Sequence, residues 1–211
     1  MICISLANKS FSECLKIVRK EQMAEVRMDL LDLETDQVRQ LFSSSNRLIA
    51  TFRKGVSADS KRFEYLAEAI NSGAAWIDMD LSADESFRPE LLRMANEKHC
   101  QVIISYHNFS LTPPYIDLVE IARQCMLKGG AMAKIACQVS SRKDLVNLLA
   151  LYDLDMKLIA IGMGPMGRIT RIAAPFLGAE FTYASYEPGS EAAPGQISKK
   201  DMRQILKLLD K

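Results

Sequence analysis

The segment Lys128-Gly129-Gly130-Ala131-Met132-Ala133-Lys134-Ile135-Ala136-Cys137 sets a glycine-terminated helix end directly before a short apolar run. A glycine just past a helix supplies the left-handed residue that closes the last turn. The run that follows suits a strand buried on both faces, as in a parallel sheet. The same junction recurs at Asn71-Ser72-Gly73 before Ala74 and at Leu177-Gly178 before Ala179. Working outward, apolar or β-branched runs fall at about residues 2–6, 23–29, 47–53, 75–81, 101–107, 131–137, 157–162 and 180–185. Helical spacing fills the intervals. Ser10 with Glu13, Ser141 with Asp144 and Ser198 with Asp201 read as helix-opening caps, and Thr112-Pro113-Pro114 as a cap followed by proline in the first turn. Eight units in 211 residues leave about 26 residues each. That predicts an α/β chain folded as one compact (β/α)₈ TIM barrel over residues 1–211. A flavodoxin-like open sheet, with its usual five strands, would leave three runs unexplained.

A hydrophobic content of 48% can fill one sizeable core. Net charge is +1, from 27 basic and 26 acidic side chains, which gives no electrostatic case for nucleic acid or for an anionic membrane. No apolar run approaches the roughly 20 residues that span a bilayer. Met1-Ile2-Cys3-Ile4-Ser5-Leu6 is strand-like and has no basic leader, so it does not read as a signal peptide. The five cysteines are scattered without a C-x-x-C pair. They indicate neither a zinc site nor a disulfide framework, and free thiols fit a reducing cytoplasm.

The polar residues within these apolar runs point to chemistry. Lys134 has only apolar neighbours in sequence, and burying an ammonium without a partner is costly. Such a lysine should lose charge, become nucleophilic and form a Schiff base with a ketone. The alternative is an ion pair with carboxylates of the second strand. His107, in Ser105-Tyr106-His107-Asn108-Phe109, ends the fifth strand and offers proton transfer near neutral pH. Glu25, Arg27 and Asp29 alternate along the second strand and should share its lumenal face. Arg53 ends the third strand, and Asp78 and Asp80 alternate in the fourth as partners for neighbouring cations. His99 falls in a helix-to-strand connection at the opposite end. Gly162-Met163-Gly164-Pro165-Met166-Gly167 matches G-x-G-x-x-G, with Glu187 about 20 residues on. Too little chain follows for a nucleotide domain. The glycines would instead let a loop approach an anionic substrate, with Arg171 as a bidentate carboxylate clamp. Ala192-Ala193-Pro194-Gly195-Gln196-Ile197 reads as a small-residue loop able to close over a ligand, with Gln196 donating a hydrogen bond.

Taken in order, Glu25-Val26-Arg27-Met28-Asp29, Phe52-Arg53, Ser105 to Phe109, Ala133-Lys134-Ile135-Ala136, Gly167-Arg168-Ile169-Thr170-Arg171 and Ala193-Pro194-Gly195-Gln196-Ile197 closely resemble the type I 3-dehydroquinate dehydratases of the shikimate pathway. The resemblance implies a (β/α)₈ barrel, commonly a homodimer, that needs no metal and no organic cofactor. It implies that Lys134 forms an imine with 3-dehydroquinate and that His107 moves the protons. Arg171 would bind the substrate carboxylate and Gln196 would act from the lid. Glu25, Arg27 and Arg53 would hold ring hydroxyls, and Ser5 falls near the family's strand-1 serine. Two positions depart from the pattern. Ser57 stands where a glutamate often partners the histidine, which leaves Glu25 or Asp59 to serve. Ala192 stands where the lid often has a serine. The chain also begins at its first strand, without the N-terminal hairpin of longer members. Another Schiff-base lyase or aldolase, or a catalytically silent metabolite-binding relative, fits the same barrel.

Overall fold

Strands and helices alternate through the chain as β1 (Ile2–Leu6), α1 (Phe11–Val18), β2 (Ala24–Arg27), α2 (Thr35–Ser43), β3 (Leu48–Thr51), α3 (Asp59–Asn71), β4 (Trp76–Asp80) and α4 (Arg88–Glu97). They continue as β5 (Gln101–Asn108), α5 (Tyr115–Leu127), β6 (Met132–Gln138), α6 (Arg142–Ala150), β7 (Leu158–Met163), α7 (Arg168–Ala173), β8 (Thr182–Ser185) and α8 (Lys199–Leu209). The computed structural model describes residues 1–45, 47–53, 55, 58–82 and 85–209. Ser57 therefore lies outside the described residues. Among the described residues the strands pair in parallel, in the order β7-β6-β5-β4-β3-β2-β1-β8, which makes a nearly closed TIM barrel. Each of the eight apolar runs coincides with one strand, although β5, β6 and β7 each continue one residue past the run.

Local signals explain most of the helix boundaries. Ser10 and Ser141 accept from the backbone of Glu13 and Asp144 in reciprocal capping boxes, and the Ser198 hydroxyl accepts from Asp201 N. Gly129 adopts φ +97° at the end of α5, as the opening segment requires. Thr112 departs from expectation. Helix α5 begins at Tyr115 after Pro114, and the Thr112 hydroxyl donates to the Gln138 carbonyl at 2.7 Å. Fixing the loop to the end of β6 displaces its capping role.

The alternation of a strand sorts the barrel interior into layers two residues apart. At the strand N-termini, Cys3, Met23, Ile49, Trp76, Ile103, Met132, Ile159 and Phe181 form an apolar floor. Two residues along, Ser5, Glu25, Thr51, Asp78, Ser105 and Lys134 make a buried polar layer, closed by Ile161 and Tyr183. Two residues further come Arg27, Arg53, Asp80 and His107. The intervening positions, such as Ile4, Val26, Ala50, Ile77, Ile104 and Ile135, face outward into the core shared with the helices. The five cysteines are buried and free. Among the described residues no helix is long and apolar enough to cross a membrane.

Candidate active site

A cavity of about 480 Å³ opens above the polar layer at the C-terminal ends of the strands. Glu25, Arg27, Arg53, His107, Lys134, Arg171 and Gln196 all line it, so the seven residues expected to share a site are brought together. Asp80, Ser82 and Tyr183 line it as well.

Lys134 is buried, but it is not unsolvated. Its Nζ lies 3.1 Å from Glu25 Oε1 and 2.8 Å from Asp78 Oδ2. The expectation of a lysine without partners is thus corrected: its apolar sequence neighbours face the helices, while its partners come from β2 and β4. The Tyr183 ring packs against the same ammonium, 4.2 Å from its centroid. Glu25 also accepts from Ser5 at 2.9 Å and Thr51 at 3.1 Å. Burial alone would push its carboxyl up, but Lys134 and Arg27 outweigh burial and hold it below the ordinary value. Asp78 behaves the same way and more strongly: Arg53 and Lys134 overcome its burial and hold it well below the carboxylate range. Arg53, two residues past the end of β3, grips Asp78 with both terminal nitrogens at 3.1 and 3.0 Å. Its Nη1 also reaches the Ser105 hydroxyl at 2.8 Å.

Asp29 is not on the face of β2. The strand ends at Arg27 and a 3₁₀ turn runs from Met28 to Leu30. That turn folds Asp29 back so that Arg27 grips it in two bonds, at 2.9 and 2.6 Å. Arg27 Nη1 is left to reach the Ala192 carbonyl at 3.2 Å. The loop that follows β8 is therefore held down over the cavity. Gln196 fastens it further, accepting from Ala192 N at 2.7 Å and donating to Ser5 Oγ at 3.0 Å.

His107 stands one register step above Ser105, which pairs with Lys134 across β5 and β6. Burial and the neighbouring Arg53 push its pKa down to about 4, against the pull of Asp80. The carboxylate facing it is Asp80, at 3.5 Å from Nδ1. Neither proposed substitute serves: Glu25 is taken up by the polar layer, and Asp59 contacts Arg62 at 3.3 Å. Asp80 was read from the sequence only as a partner for cations. The i+2 step from Asp78 could have placed it in the upper layer, but nothing local tied it to the histidine. His99 is exposed, at the far end of the barrel.

Arg171 is 2% exposed, and its Nε and Nη2 have no hydrogen-bond partner among the described residues. Burial lowers its pKa to about 10. The glycines before it act through packing. A Cβ on Gly167 would lie 2.3 Å from the Gly162 carbonyl carbon, and one on Gly195 would lie 2.5 Å from the Gly164 oxygen. Those contacts seat the six-residue α7 against β7 and the lid against the β7–α7 turn.

The arrangement supplies an amine between two carboxylates, an imidazole above it, and an unmatched cation in the wall. Similarity to known proteins agrees. A family model described as Type I 3-dehydroquinase matches residues 2–211. The 3-dehydroquinate dehydratase of Methanococcus maripaludis (strain C6) is 32% identical, over 100% of both chains. The crystal structure of 3-dehydroquinate dehydratase from Aquifex aeolicus VF5 is 30% identical and superposes with a TM-score of 0.84, covering 99% of this chain and 98% of that one. The type I 3-dehydroquinate dehydratase from Clostridium difficile, solved with covalent modified comenic acid, is 26% identical with a TM-score of 0.84, over 99% and 91% of the two chains. The chain belongs to the type I 3-dehydroquinase family.

Proposed function

We propose that the chain catalyses its family's dehydration, 3-dehydroquinate to 3-dehydroshikimate and water, through a Schiff base on Lys134 in the shikimate pathway. The observation that carries this reading is Arg171. A buried guanidinium with two unmatched nitrogens shares one cavity with a lysine and a histidine, which suits a small anionic ketone. Lys134 attacks the C3 ketone, and loss of water gives an iminium. That cation draws electrons from the adjacent C2–H bond and makes the proton removable. His107 takes the C2 proton and returns one to the departing C1 hydroxyl. Hydrolysis then releases product and regenerates the amine. Glu25 and Asp78, both ionised, steady the cationic intermediates. Arg171 binds the substrate carboxylate, Arg27, Arg53 and Glu25 order the ring hydroxyls, and Gln196 closes the lid. The proposed steps use only the chain's own residues, as a homodimer of the cytoplasm.

Intact mass after mixing the protein with 3-dehydroquinate and borohydride tests the reading. We expect a substrate- or product-sized adduct on the wild type and none on Lys134→Ala, together with loss of turnover. An adduct on the variant, or appreciable turnover by it, would sink the assignment of Lys134. Failure of the wild type to form any adduct would sink the covalent route.

A further inference from the structure

We propose that Asp80 is the positioning residue of His107, holding the Nδ1 proton toward its carboxylate so that Nε2 faces the cavity as the base. This rests on His107 being the proton-transfer group of the reaction proposed above. Asp80 sits at the end of β4, in register with Ser105, and His107 lies two residues further along β5. The carboxylate is itself fixed. Its Oδ1 accepts from Ser82 N at 3.0 Å and from the Ser82 hydroxyl at 2.7 Å. Arg88 Nη2 donates to the Asp80 and Leu81 carbonyls at 3.1 and 3.0 Å, which pins the main chain on both sides. Only Oδ2 remains, and it lies 3.5 Å from His107 Nδ1. Nδ1 is buried with no nearer polar partner among the described residues, so Asp80 is the acceptor within its reach. The Phe109 ring lies stacked beside the imidazole, centroids 6.2 Å apart and planes at 21°.

The choice of tautomer follows from charge. A neutral imidazole with its proton on Nδ1 points that proton at an anion and leaves a lone pair on Nε2. The other tautomer would set a lone pair against the carboxylate and a proton toward the substrate, where a base is needed. The charged groups around the ring are Arg53 after β3, Asp78 and Asp80 on β4, and Lys134 on β6. The two cations oppose a positive imidazole, and the two carboxylates favour one. Removing Asp80 tips that balance further against protonation.

The chain has two histidines, so ¹⁵N-histidine labelling gives two ring systems, and His99→Gln assigns them. In the resting wild type we expect His107 as the Nδ1–H tautomer near neutral pH. In Asp80→Asn the Ser82 N–H keeps the amide oxygen, so the amide nitrogen turns toward Nδ1 and inverts the tautomer. The same variant should protonate His107 at lower pH and lose about tenfold or more in kcat with little change in KM. Asp80→Glu should restore the tautomer and part of kcat. An Nε2–H tautomer in the wild type, or an Asp80→Asn variant that keeps both tautomer and kcat, would overturn the proposal. The wild-type spectrum needs no turnover and no substitution within the site, since the assigning variant changes only the exposed His99. Borohydride trapping of the wild type reports separately on the Lys134 route, so the two ideas can fail independently.

Discussion

Arg171 illustrates how one side chain trades stability for binding. Its guanidinium is buried, Nε and Nη2 have no partner among the described residues, and burial draws its pKa down to about 10. A cation whose folded pKa lies below its unfolded value costs the fold stability at every pH below the folded pKa. That cost is relieved only as pH rises through about 10. At neutral pH it is fully present, at about 3 kcal/mol. Arg171→Met should therefore stabilise the protein by about 1–3 kcal/mol at pH 7, read by urea denaturation. A substrate carboxylate would lose two charge-assisted bonds in the variant, at about 1.5–3 kcal/mol each, so kcat/KM should fall by about 10²- to 10⁴-fold. Lower stability with unchanged kcat/KM would remove Arg171 from the site. Residues of this kind were legible because a charged group in an apolar or glycine-rich run is unusual enough to notice. Asp80 was not, since its meaning depends on Ser82 beside it and on His107, which stands 27 positions later on the neighbouring strand.

At the level of elements, the eight strands were legible because each is a short apolar run ended by recognisable turn chemistry. Two misreadings share a cause. Asp29 follows a strand pattern into a 3₁₀ turn closed by its neighbour Arg27, and Thr112 follows a capping pattern into a bond with β6; in both, a side-chain contact overrides the backbone pattern. The run Gly162 to Gly167 is the instructive case, because its spacing imitates nucleotide binding while its glycines serve close backbone packing. Gly167→Ala would press a methyl into the Gly162 backbone, which cannot swing aside as a side chain can. Helix α7 must then shift and carry Arg171 with it. We expect a loss of about 1–3 kcal/mol in stability and a raised KM. Gly178→Ala provides the comparison: its φ is +101° but nothing lies within 4 Å of the added carbon. It should cost about 1 kcal/mol and leave KM alone. Equal effects on KM would mean that α7 does not set the position of Arg171.

Across the whole molecule, the barrel is built around a charge-balanced layer in which Lys134, with Arg53 reaching down from the layer above, faces Glu25 and Asp78. That layer was half legible: the alternation of each strand showed which residues share the interior, but not which ones touch. In the wild type both carboxylates titrate below their ordinary values, so they add stability above the unfolded carboxylate range, about pH 4. That contribution fades as pH falls through the lower folded values. Lys134→Met removes one cation and affects the two carboxylates differently. Asp78 keeps Arg53, the first of the cations that lower it. Glu25 loses Lys134, the first of its own, so burial, the largest influence on it, should win over Arg27 and Arg53 and raise its carboxyl. A raised carboxylate costs stability above its folded pKa and recovers it below. The variant should accordingly fall about 3 kcal/mol or more short of the wild type at pH 7.5. The gap should narrow as pH drops toward 5, where protonation of Glu25 relieves the variant. Urea denaturation at the two pH values measures both gaps. A gap that stays constant would show that Lys134 supports the barrel through packing alone, and that the fold does not hold this lysine through the charge of its buried carboxylates.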